Sequence, residues 1–265
     1  TGSNLTYEIA KSYIDLFTRV KNKKTLMISG SQGSGKSTLS LQIKKYFKKY
    51  YSKHVVILSI DDFYLSPYQR KLLTKKYKTN LFETRGVPGT HNLKLLNQTI
   101  RNLKSNKFPL FLPVFDKVSD NRKKYRRKVN KADLIILEGW CVGSKPIETN
   151  YLNRNINDLE KIEDSNLYWR TAYNMALLEY QKLFKKFSYF IFIKIPNWKF
   201  VIDWKYKQEL GLRSSNTNIH LKKKLLKFIQ YYEKLSKWMS LTTPSYCNVL
   251  ITLDKKHSTK KIIYK

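Results

Sequence analysis

The stretch that decides the fold is KTLMISGSQGSGKST, residues 24–38. Lys24 to Ser29 is a short apolar run typical of a buried strand, and a helical period returns from Lys36 to about Tyr50. Between them, Gly30 to Ser37 fits the phosphate-binding pattern G-x-x-x-x-G-K-[S/T]. Because this P-loop pattern binds nucleotide phosphates when a strand precedes it and a helix follows, the sequence predicts a nucleotide site here.

The residue types of this loop suit phosphate chemistry. Glycines let the backbone wrap closely, so that its N–H groups and the start of the following helix face phosphate oxygens. We expect Lys36 to reach the β- and γ-phosphates of ATP, and Ser37 to ligate Mg²⁺. The alternative, a glycine-rich turn without a ligand, is disfavoured by the flanking strand and helix. The residues expected at the nucleotide are Gly30, Ser31, Gln32, Gly33, Ser34, Gly35, Lys36, Ser37 and Thr38.

The charge balance is unusual, with 52 basic and 19 acidic residues in 265 and a formal net charge of +33. Such a charge attracts nucleic acid, anionic lipid or anionic substrates. The basic residues are mostly lysines spread over the whole length among many Asn, Ile and Tyr, a mixture that an AT-rich coding sequence produces without selection for function. We therefore interpret the charge as a solvated surface and expect no specific nucleic-acid partner. The densest cluster, Arg122 to Lys131, lies in a predicted loop.

The sequence gives no membrane or secretion signal. It has no apolar run of about 18 residues, so no membrane-spanning helix and no membrane partner are expected. Thr1-Gly2-Ser3 shows no signal-peptide pattern. Cys141 and Cys247 form neither a metal-ligand pattern nor a disulfide framework, which is typical of a reducing compartment. A cytoplasmic location is predicted, whereas the oligomeric state stays open.

Apolar strand patterns alternate with helical patterns along the chain. This order predicts an α/β P-loop NTPase fold, a three-layer sandwich whose five-stranded, mainly parallel sheet has helices on both faces. We expect one kinase domain over residues 1–265, with a substrate-side insertion at about 66–131. The strands beyond the first are predicted at 54–60, 133–137, 189–195 and 248–253, and helices at 5–20, 36–50, 92–103, 166–187, 198–211 and 219–239.

Gly30, Asp61 and Glu138 each follow a predicted strand directly. Ligands of parallel sheets bind beyond the carboxyl ends of the strands, so these three residues are expected to meet at one edge. P-loop proteins place an acid near the metal at this edge, and we assign Glu138 to Mg²⁺, through water. A carboxylate on the strand next to the P-loop can accept the proton of an attacking hydroxyl. Asp61 and Asp62 point to opposite sides of an extended backbone, so only one can do so; either could instead be a turn or cap residue.

Several motifs resemble those of the plant-type D-glycerate 3-kinase family and related fungal ATP-binding kinases, within the phosphoribulokinase and uridine kinase group. They run in the same order over most of the chain: residues 61–65 (DDFYL), 85–91 (RGVPGTH), 115–117 (FDK) and 138–140 (EGW), with Trp204-Lys205-x-x-Gln208-Glu209 and Arg213 resembling the lid. The sequence departs from the family's pattern at two places. The segment from Val118 to Arg122 is shorter than the family's corresponding segment, and Lys205 stands where the family usually has Arg.

The resemblance implies that D-glycerate and ATP give 3-phosphoglycerate and ADP, with Asp61 as the base and a lid at about 204–218. Lys36 joins Asp61 as a catalytic residue, and Lys205 and Arg213 would close over the phosphates. A glycerate carboxylate needs a cationic clamp, for which Arg85, Lys117 and His91 are candidates. Arg85 could instead pair with Glu83, and His91 could cap the helix that begins at Asn92. The acceptor-binding residues expected are Asp61, Tyr64, Arg85, His91, Lys117 and Arg122.

Other functions stay open at this point. The acceptor could be a nucleoside, pantothenate or a sugar phosphate. In a different class, the charge of +33 suggests a P-loop ATPase stimulated by nucleic acid, which would bind nucleic acid with a steep salt dependence. A nucleotide-binding module without turnover is a third alternative.

Overall fold

The structure is a computed structural model that describes residues 2–204 and 219–265, with side chains from residue 11 to 204 and from 225 onward. The strands are β1 (Thr25–Gly30), β2 (Val55–Ser59), β3 (Leu110–Leu112), β4 (Phe115–Asp116), β5 (Asn121–Arg122), β6 (Arg127–Val129), β7 (Leu134–Gly139), β8 (Tyr189–Lys194), β9 (Val249–Leu253) and β10 (Thr259–Tyr264). The helices are α1 (Gly2–Val20), α2 (Lys36–Tyr51), α3 (Pro67–Tyr77), α4 (Leu93–Lys104), α5 (Thr149–Asn153), α6 (Tyr168–Phe184) and α7 (Ile219–Thr242), and residues 199–204 are also helical.

Six strands form one sheet in the order β10-β9-β8-β1-β7-β2. All neighbouring pairs are parallel except β9 and β10, which are antiparallel. The predicted α/β P-loop fold with a mainly parallel sheet is therefore confirmed, and each of the five predicted strands is present. The sixth strand, β10, was not predicted; it pairs with β9 after a short turn at the edge of the sheet.

Alternation along the strands divides the core into two clusters, one on each face of the sheet. Leu26 and Ile28 of β1 pack on one face, where α1 and α2 lie, and Met27 between them packs on the other face with α4 and α6. All six residues of β1 and of β7 are buried, as expected for central strands of a sheet covered on both sides. The result is the predicted three-layer arrangement.

Residues 60–133, which connect β2 to β7, carry α3, α4 and two small antiparallel ribbons, β3 with β6 and β4 with β5. Helix α3 begins with a capping box between Ser66 and Gln69 and has Pro67 in its first turn. The prediction of a loop from Arg122 to Lys131 was wrong in part, because Arg122 lies in β5 and residues 127–129 form β6. Pairing with β3 and β4 orders these basic residues, and Arg127 donates to the carbonyl oxygen of Ile57 at 2.5 Å.

A buried charge network joins the start of α6 to α7. The Arg170 guanidinium donates to Asp164 at 2.7 Å and lies 3.4 Å from Glu160. Lys234 of α7 lies 3.2 Å from the same Glu160 carboxylate. Because these side chains are almost fully buried, removal of one partner leaves an uncompensated charge away from water.

Among the described helices, none combines the length and the apolar character needed to cross a membrane. Residues 205–218, to which the lid prediction largely applies, lie outside the described residues.

Candidate active site

The P-loop connects β1 to α2 and approaches β8 closely. At Gly30, φ is 159°, and a side-chain Cβ there would lie 2.6 Å from both the carbonyl oxygen of Ile193 and the hydroxyl oxygen of Ser34. Only glycine fits this position without displacing the backbone of β8. The ammonium of Lys36 donates to the carbonyl oxygen of Ser31 at 2.8 Å. Lys36 therefore lies folded over the loop that it terminates, and α2 begins at the same residue.

Three strand ends meet beside this lysine, as the sequence predicted. In the register of the sheet, Ile28 of β1 and Ser59 of β2 both pair with Glu138 of β7. The expectation that Asp61 follows the strand next to the P-loop strand was wrong, because β7 lies between β1 and β2. As a result, Glu138 stands between the P-loop and Asp61.

Burial and mutual attraction set the charges of this group. Glu138 is 6% exposed, and burial raises the pKa of its carboxyl group, an effect that the Lys36 ammonium opposes. Burial likewise lowers the pKa of Lys36, against the attraction of Glu138 and Asp61. The cation and the two carboxylates thus form one electrostatic group at the edge of the sheet.

Asp61 and Asp62 lie in a short 3-10 turn, Ile60–Phe63, and have different partners. Asp61 accepts hydrogen bonds from the Lys117 ammonium and from the Tyr64 hydroxyl, each at 2.9 Å. Asp62 instead accepts from the backbone N–H of Phe115 at 3.0 Å and so fixes the start of β4. The prediction that only one of the two faces the site is consistent with this division.

Neighbouring side chains keep the Asp61 carboxyl group ionised by lowering its pKa. Burial alone would raise the pKa of Asp61, but the Lys117 ammonium, His91 and the Tyr64 hydroxyl together outweigh burial, so that the pKa falls to about 2. Asp61 in turn raises the pKa of Lys117, whose side chain is 63% exposed. At neutral pH the pair is a carboxylate and an ammonium at the mouth of the site.

Two arginines fix the turn between β4 and β5, which carries Lys117. Both Arg70 and Arg85 form ion pairs with Asp120 of this turn. Arg85 also donates to the carbonyl oxygen of Lys117 at 3.1 Å. The alternative partner considered for Arg85, Glu83, is therefore wrong: the Arg85 guanidinium pairs with Asp120, whereas the backbone oxygen of Glu83 accepts a hydrogen bond from Arg70 at 2.9 Å.

The remaining acceptor-site candidates pack around Tyr64. The Tyr64 ring stacks on the His91 imidazole, with 4.5 Å between the ring centroids. Arg122 donates to the backbone carbonyl oxygen of Tyr64 from two of its nitrogens, each at 3.3 Å. Arg122 thus holds the backbone of Tyr64 in this structure. His91 does not cap α4, because the N-cap is Asn92, whose side chain accepts from the N–H of Leu95 at 2.9 Å.

The loop from Arg85 to His91 is held from α7 and from the end of β7. The hydroxyl of Tyr232 in α7 donates a hydrogen bond to the carbonyl oxygen of Arg85 at 3.1 Å. The indole N–H of Trp140 donates to the carbonyl oxygen of Gly86, also at 3.1 Å. The two aromatic rings meet edge to face, with centroids 4.9 Å apart. This clamp joins the motif at residues 138–140 to that at 85–91.

Sequence reasoning missed Arg70, Tyr180 and Tyr232, which position site residues from α3, α6 and α7. None belongs to a motif that the sequence analysis used, and each contacts a partner at least fifty residues away in the chain: Asp120 for Arg70, His91 for Tyr180 and Arg85 for Tyr232. A polar group at a helix position that faces the core is the one signal available for them. Lys205 and Arg213, the candidate lid residues, lie outside the described residues.

Comparison with known proteins agrees with this geometry. Residues 26–159 match the model of the Phosphoribulokinase / Uridine kinase family. "Probable ATP-dependent kinase TDA10" of Saccharomyces cerevisiae is 34% identical over 64% of this chain and 66% of its own length, just under two thirds. The chloroplastic D-glycerate 3-kinase of Arabidopsis thaliana is 31% identical over 70% of this chain and 41% of its own length.

A solved structure shares the fold over nearly the whole chain. The D-glycerate 3-kinase from Cryptococcus neoformans var. grubii superposes with a TM-score of 0.76 at 22% identity and covers 98% of both chains. The family model itself matches half of this chain, from β1 through the segment that follows β7. The protein therefore belongs to the Phosphoribulokinase / Uridine kinase family and is an ATP-dependent P-loop kinase.

Proposed function

We propose that this kinase transfers the γ-phosphoryl group of ATP to a hydroxyl group of D-glycerate and forms 3-phosphoglycerate and ADP. The observation that carries the proposal is the position of Asp61, a largely buried carboxylate between Lys117 and Tyr64, in one electrostatic group with Lys36 of the P-loop. An anionic acceptor suits a base that has a cation beside it. The relatives named as D-glycerate 3-kinases support the choice of this anion.

On the nucleotide side, the P-loop residues from Gly30 to Thr38 would surround the phosphates. The Ser34 hydroxyl is buried and, among the described residues, has no hydrogen-bond partner, so it can serve a phosphate oxygen. Lys36 would exchange its bond to the Ser31 carbonyl for the β- and γ-phosphates. Lys205 and Arg213 stay proposed as lid residues that exclude water from the transfer.

The donor set at the sheet edge fits Mg²⁺. This ion is usually held by one or two protein oxygens together with phosphate oxygens and water, so a dedicated cluster of ligands is not needed. Ser37 at the start of α2 and Glu138 beside Lys36 offer a hydroxyl and a carboxylate. When bound, the ion would neutralise phosphate charge. The described residues contain no group of three or more His, Cys, Asp or Glu side chains that could hold a metal without such help.

On the acceptor side, Asp61 would accept the proton of the attacking hydroxyl while that oxygen bonds to the γ-phosphorus and ADP leaves. Lys117 would attract the carboxylate, since its ammonium is the exposed cation next to Asp61. Arg85 adds positive charge while it holds the Lys117 turn through Asp120. Tyr64, His91 and Arg122 are proposed to complete the acceptor site, Arg122 through the Tyr64 backbone.

An ADP-release assay with Mg·ATP tests the proposal against D-glycerate, L-glycerate, uridine, pantothenate and ribulose 5-phosphate. We expect turnover with D-glycerate and a loss of about 10²- to 10⁴-fold in Asp61→Asn, the range for removal of a general base. Asp62→Asn is the matched control, because asparagine retains an oxygen that can accept from the N–H of Phe115.

Turnover of a different acceptor alone would overturn the choice of glycerate but not the kinase assignment. An equal loss in both aspartate variants would contradict the role of Asp61 as base. Hydrolysis stimulated by RNA or DNA, without an acceptor, would favour the nucleic-acid ATPase. The single domain over residues 1–265, its insertion at 66–131 and the cytoplasmic location stay predictions.

A further inference from the structure

The imidazole of His91 is enclosed, and its two nitrogens have different surroundings. The side chain is 4% exposed and lies against the ring of Tyr64. Its Nδ1 lies 2.7 Å from the hydroxyl oxygen of Tyr180 in α6. Its Nε2 is buried and, within the part of the chain that the structure describes, has no hydrogen-bond partner. A buried ring nitrogen usually has a hydrogen-bond partner, so an unpartnered Nε2 points to a ligand atom as its partner.

The hydrogen bond between Tyr180 and His91 has a definite direction. The Tyr180 oxygen accepts the backbone N–H of Gly89 at 2.9 Å. A backbone N–H can only donate, so the one remaining hydrogen of the hydroxyl is free to point at His91. If Nδ1 carried a hydrogen instead, the Tyr180 hydroxyl hydrogen would be buried without an acceptor among the described residues. The favoured arrangement has Tyr180 donating to Nδ1, and this places the hydrogen of the neutral imidazole on Nε2.

The imidazole is also kept neutral. Burial lowers the pKa of His91 to about 4, although the Asp61 carboxylate opposes this shift. Neutral histidine with Nδ1 as acceptor has a single donor, the Nε2–H group. The imidazole that carries this donor lies close to Asp61, since the Tyr64 ring covers the imidazole while the Tyr64 hydroxyl reaches the Asp61 carboxylate at 2.9 Å, and the Asp61 charge acts on the pKa of His91.

We propose that Tyr180 is a positioning residue that fixes His91 as its Nε2–H tautomer, and that this group donates a hydrogen bond to an oxygen atom of the acceptor. The second part rests on the proposed function, because it needs a small acceptor bound at Asp61. The chemistry selects an acceptor with a hydroxyl or carboxylate oxygen near the reacting hydroxyl. An acceptor that offers only an apolar group there would leave Nε2–H unpaired and would bind poorly.

Nitrogen-15 NMR of the full chain tests the tautomer without any turnover. The chain has four histidines, and the signal missing in His91→Gln identifies His91. We expect a protonated Nε2 and an unprotonated Nδ1 in the wild type at pH 7. In Tyr180→Phe the hydroxyl is gone, and Nδ1 should become at least partly protonated. A protonated Nδ1 in the wild type would overturn the proposal.

Kinetics separate a positioning role from a structural one. Tyr180→Phe should raise the KM for the acceptor about tenfold, the effect of one lost hydrogen bond, with the KM for ATP unchanged. His91→Gln, whose amide NH₂ can stand near the Nε2 position, should retain more activity than His91→Asn, whose shorter amide cannot. A lowered unfolding temperature with an unchanged acceptor KM would overturn the role of Tyr180. If no acceptor turns over while the NMR shows Nε2–H, the proposed function fails and the tautomer assignment stands.

Discussion

Gly86→Ala tests the aromatic clamp on the loop from Arg85 to His91. At Gly86 φ is 140°, and a Cβ would lie 2.4 Å from the Tyr232 hydroxyl oxygen and 2.7 Å from two ring carbons. Tyr232 would have to move, and would lose its hydrogen bond to the Arg85 carbonyl, about 1 kcal/mol, and its edge contact with Trp140, about another 1 kcal/mol. The backbone strain of alanine at this φ adds about 1 to 2 kcal/mol.

We therefore expect Gly86→Ala to lower the free energy of unfolding by about 3 to 4 kcal/mol, or the melting temperature by roughly 6 to 16 °C for a chain of this size. The measurement is calorimetric or fluorescence-detected thermal unfolding. Because the sheet and the core cluster on the α1 and α2 face are untouched, and Tyr232 is the residue of the other cluster that has to move, the variant should still fold. This expectation concerns stability, so it does not depend on the acceptor.

Gly89→Ala is the matched control. Its φ is 96°, so alanine is strained there too, but the new Cβ would meet its nearest neighbour, the Ala176 Cβ, at an ordinary 3.5 Å. It should lose only the backbone part, about 1 to 2 kcal/mol. In a Tyr232→Ala background, Gly86→Ala should fall to the same value, because the colliding ring is absent. Equal losses in the two single glycine variants would refute the collision, as would an undiminished loss in the Tyr232→Ala background.

Three further expectations concern charges. Lys117→Met should move the acid limb of the kcat profile upward, because the pKa of Asp61 rises from about 2 once the ammonium is gone and activity is lost as the pH falls through the raised value. Lys117→Arg should keep the limb low, and an unmoved limb in the methionine variant would contradict the pairing. Arg170→Met should lower the free energy of unfolding in urea by about 3 to 5 kcal/mol, since it leaves the buried Asp164 carboxylate without its charge partner, although Lys234 still pairs with Glu160. Lys182→Met, which breaks an exposed pair, should cost under about 1 kcal/mol, and similar losses in the two variants would show that burial is not the cause. Glu138→Gln should raise the Mg²⁺ concentration for half-maximal turnover by about tenfold or more, and an unchanged requirement would remove Glu138 from the metal site.

The sequence predicted the sheet because its strands carry their own signal. Runs such as residues 55–58 are apolar and β-branched, and glycine or acidic residues mark where the strands end. The edge strand β10 escaped prediction because its sequence, TKKIIY, has two adjacent lysines followed by three apolar or aromatic residues, and so shows neither strict alternation nor an uninterrupted apolar run. Helix α3 also escaped, since it is rich in lysine and polar residues and buries little apart from Arg70 and Thr74.

Motif residues of the site were predicted, but their partners were not. Residue alternation showed that only one of Asp61 and Asp62 could face the site, and the choice of Asp61 came from the resemblance. The structure distinguishes the two by their partners, Lys117 for Asp61 and the backbone of Phe115 for Asp62, each more than fifty residues away. Glu83 looked like the partner of Arg85 because it is near in sequence, whereas Asp120 is near in space. Local patterns report strands and helices well, but ion pairs between distant segments depend on the tertiary fold.

The strands β2 and β7 pair in register along their whole length, although residues 60–133 intervene between them in the chain. The residues proposed to bind the acceptor all lie in this connection, which leaves the sheet at the end of β2 and returns to it at the adjacent strand, β7. The entropic cost of closing such a connection grows only slowly with the number of residues in it. Duplication, deletion or exchange within it can therefore change which hydroxyl compound is recognised while the P-loop and Glu138 keep their places. This gives the kinase a means of acquiring new acceptors without rebuilding its phosphate chemistry.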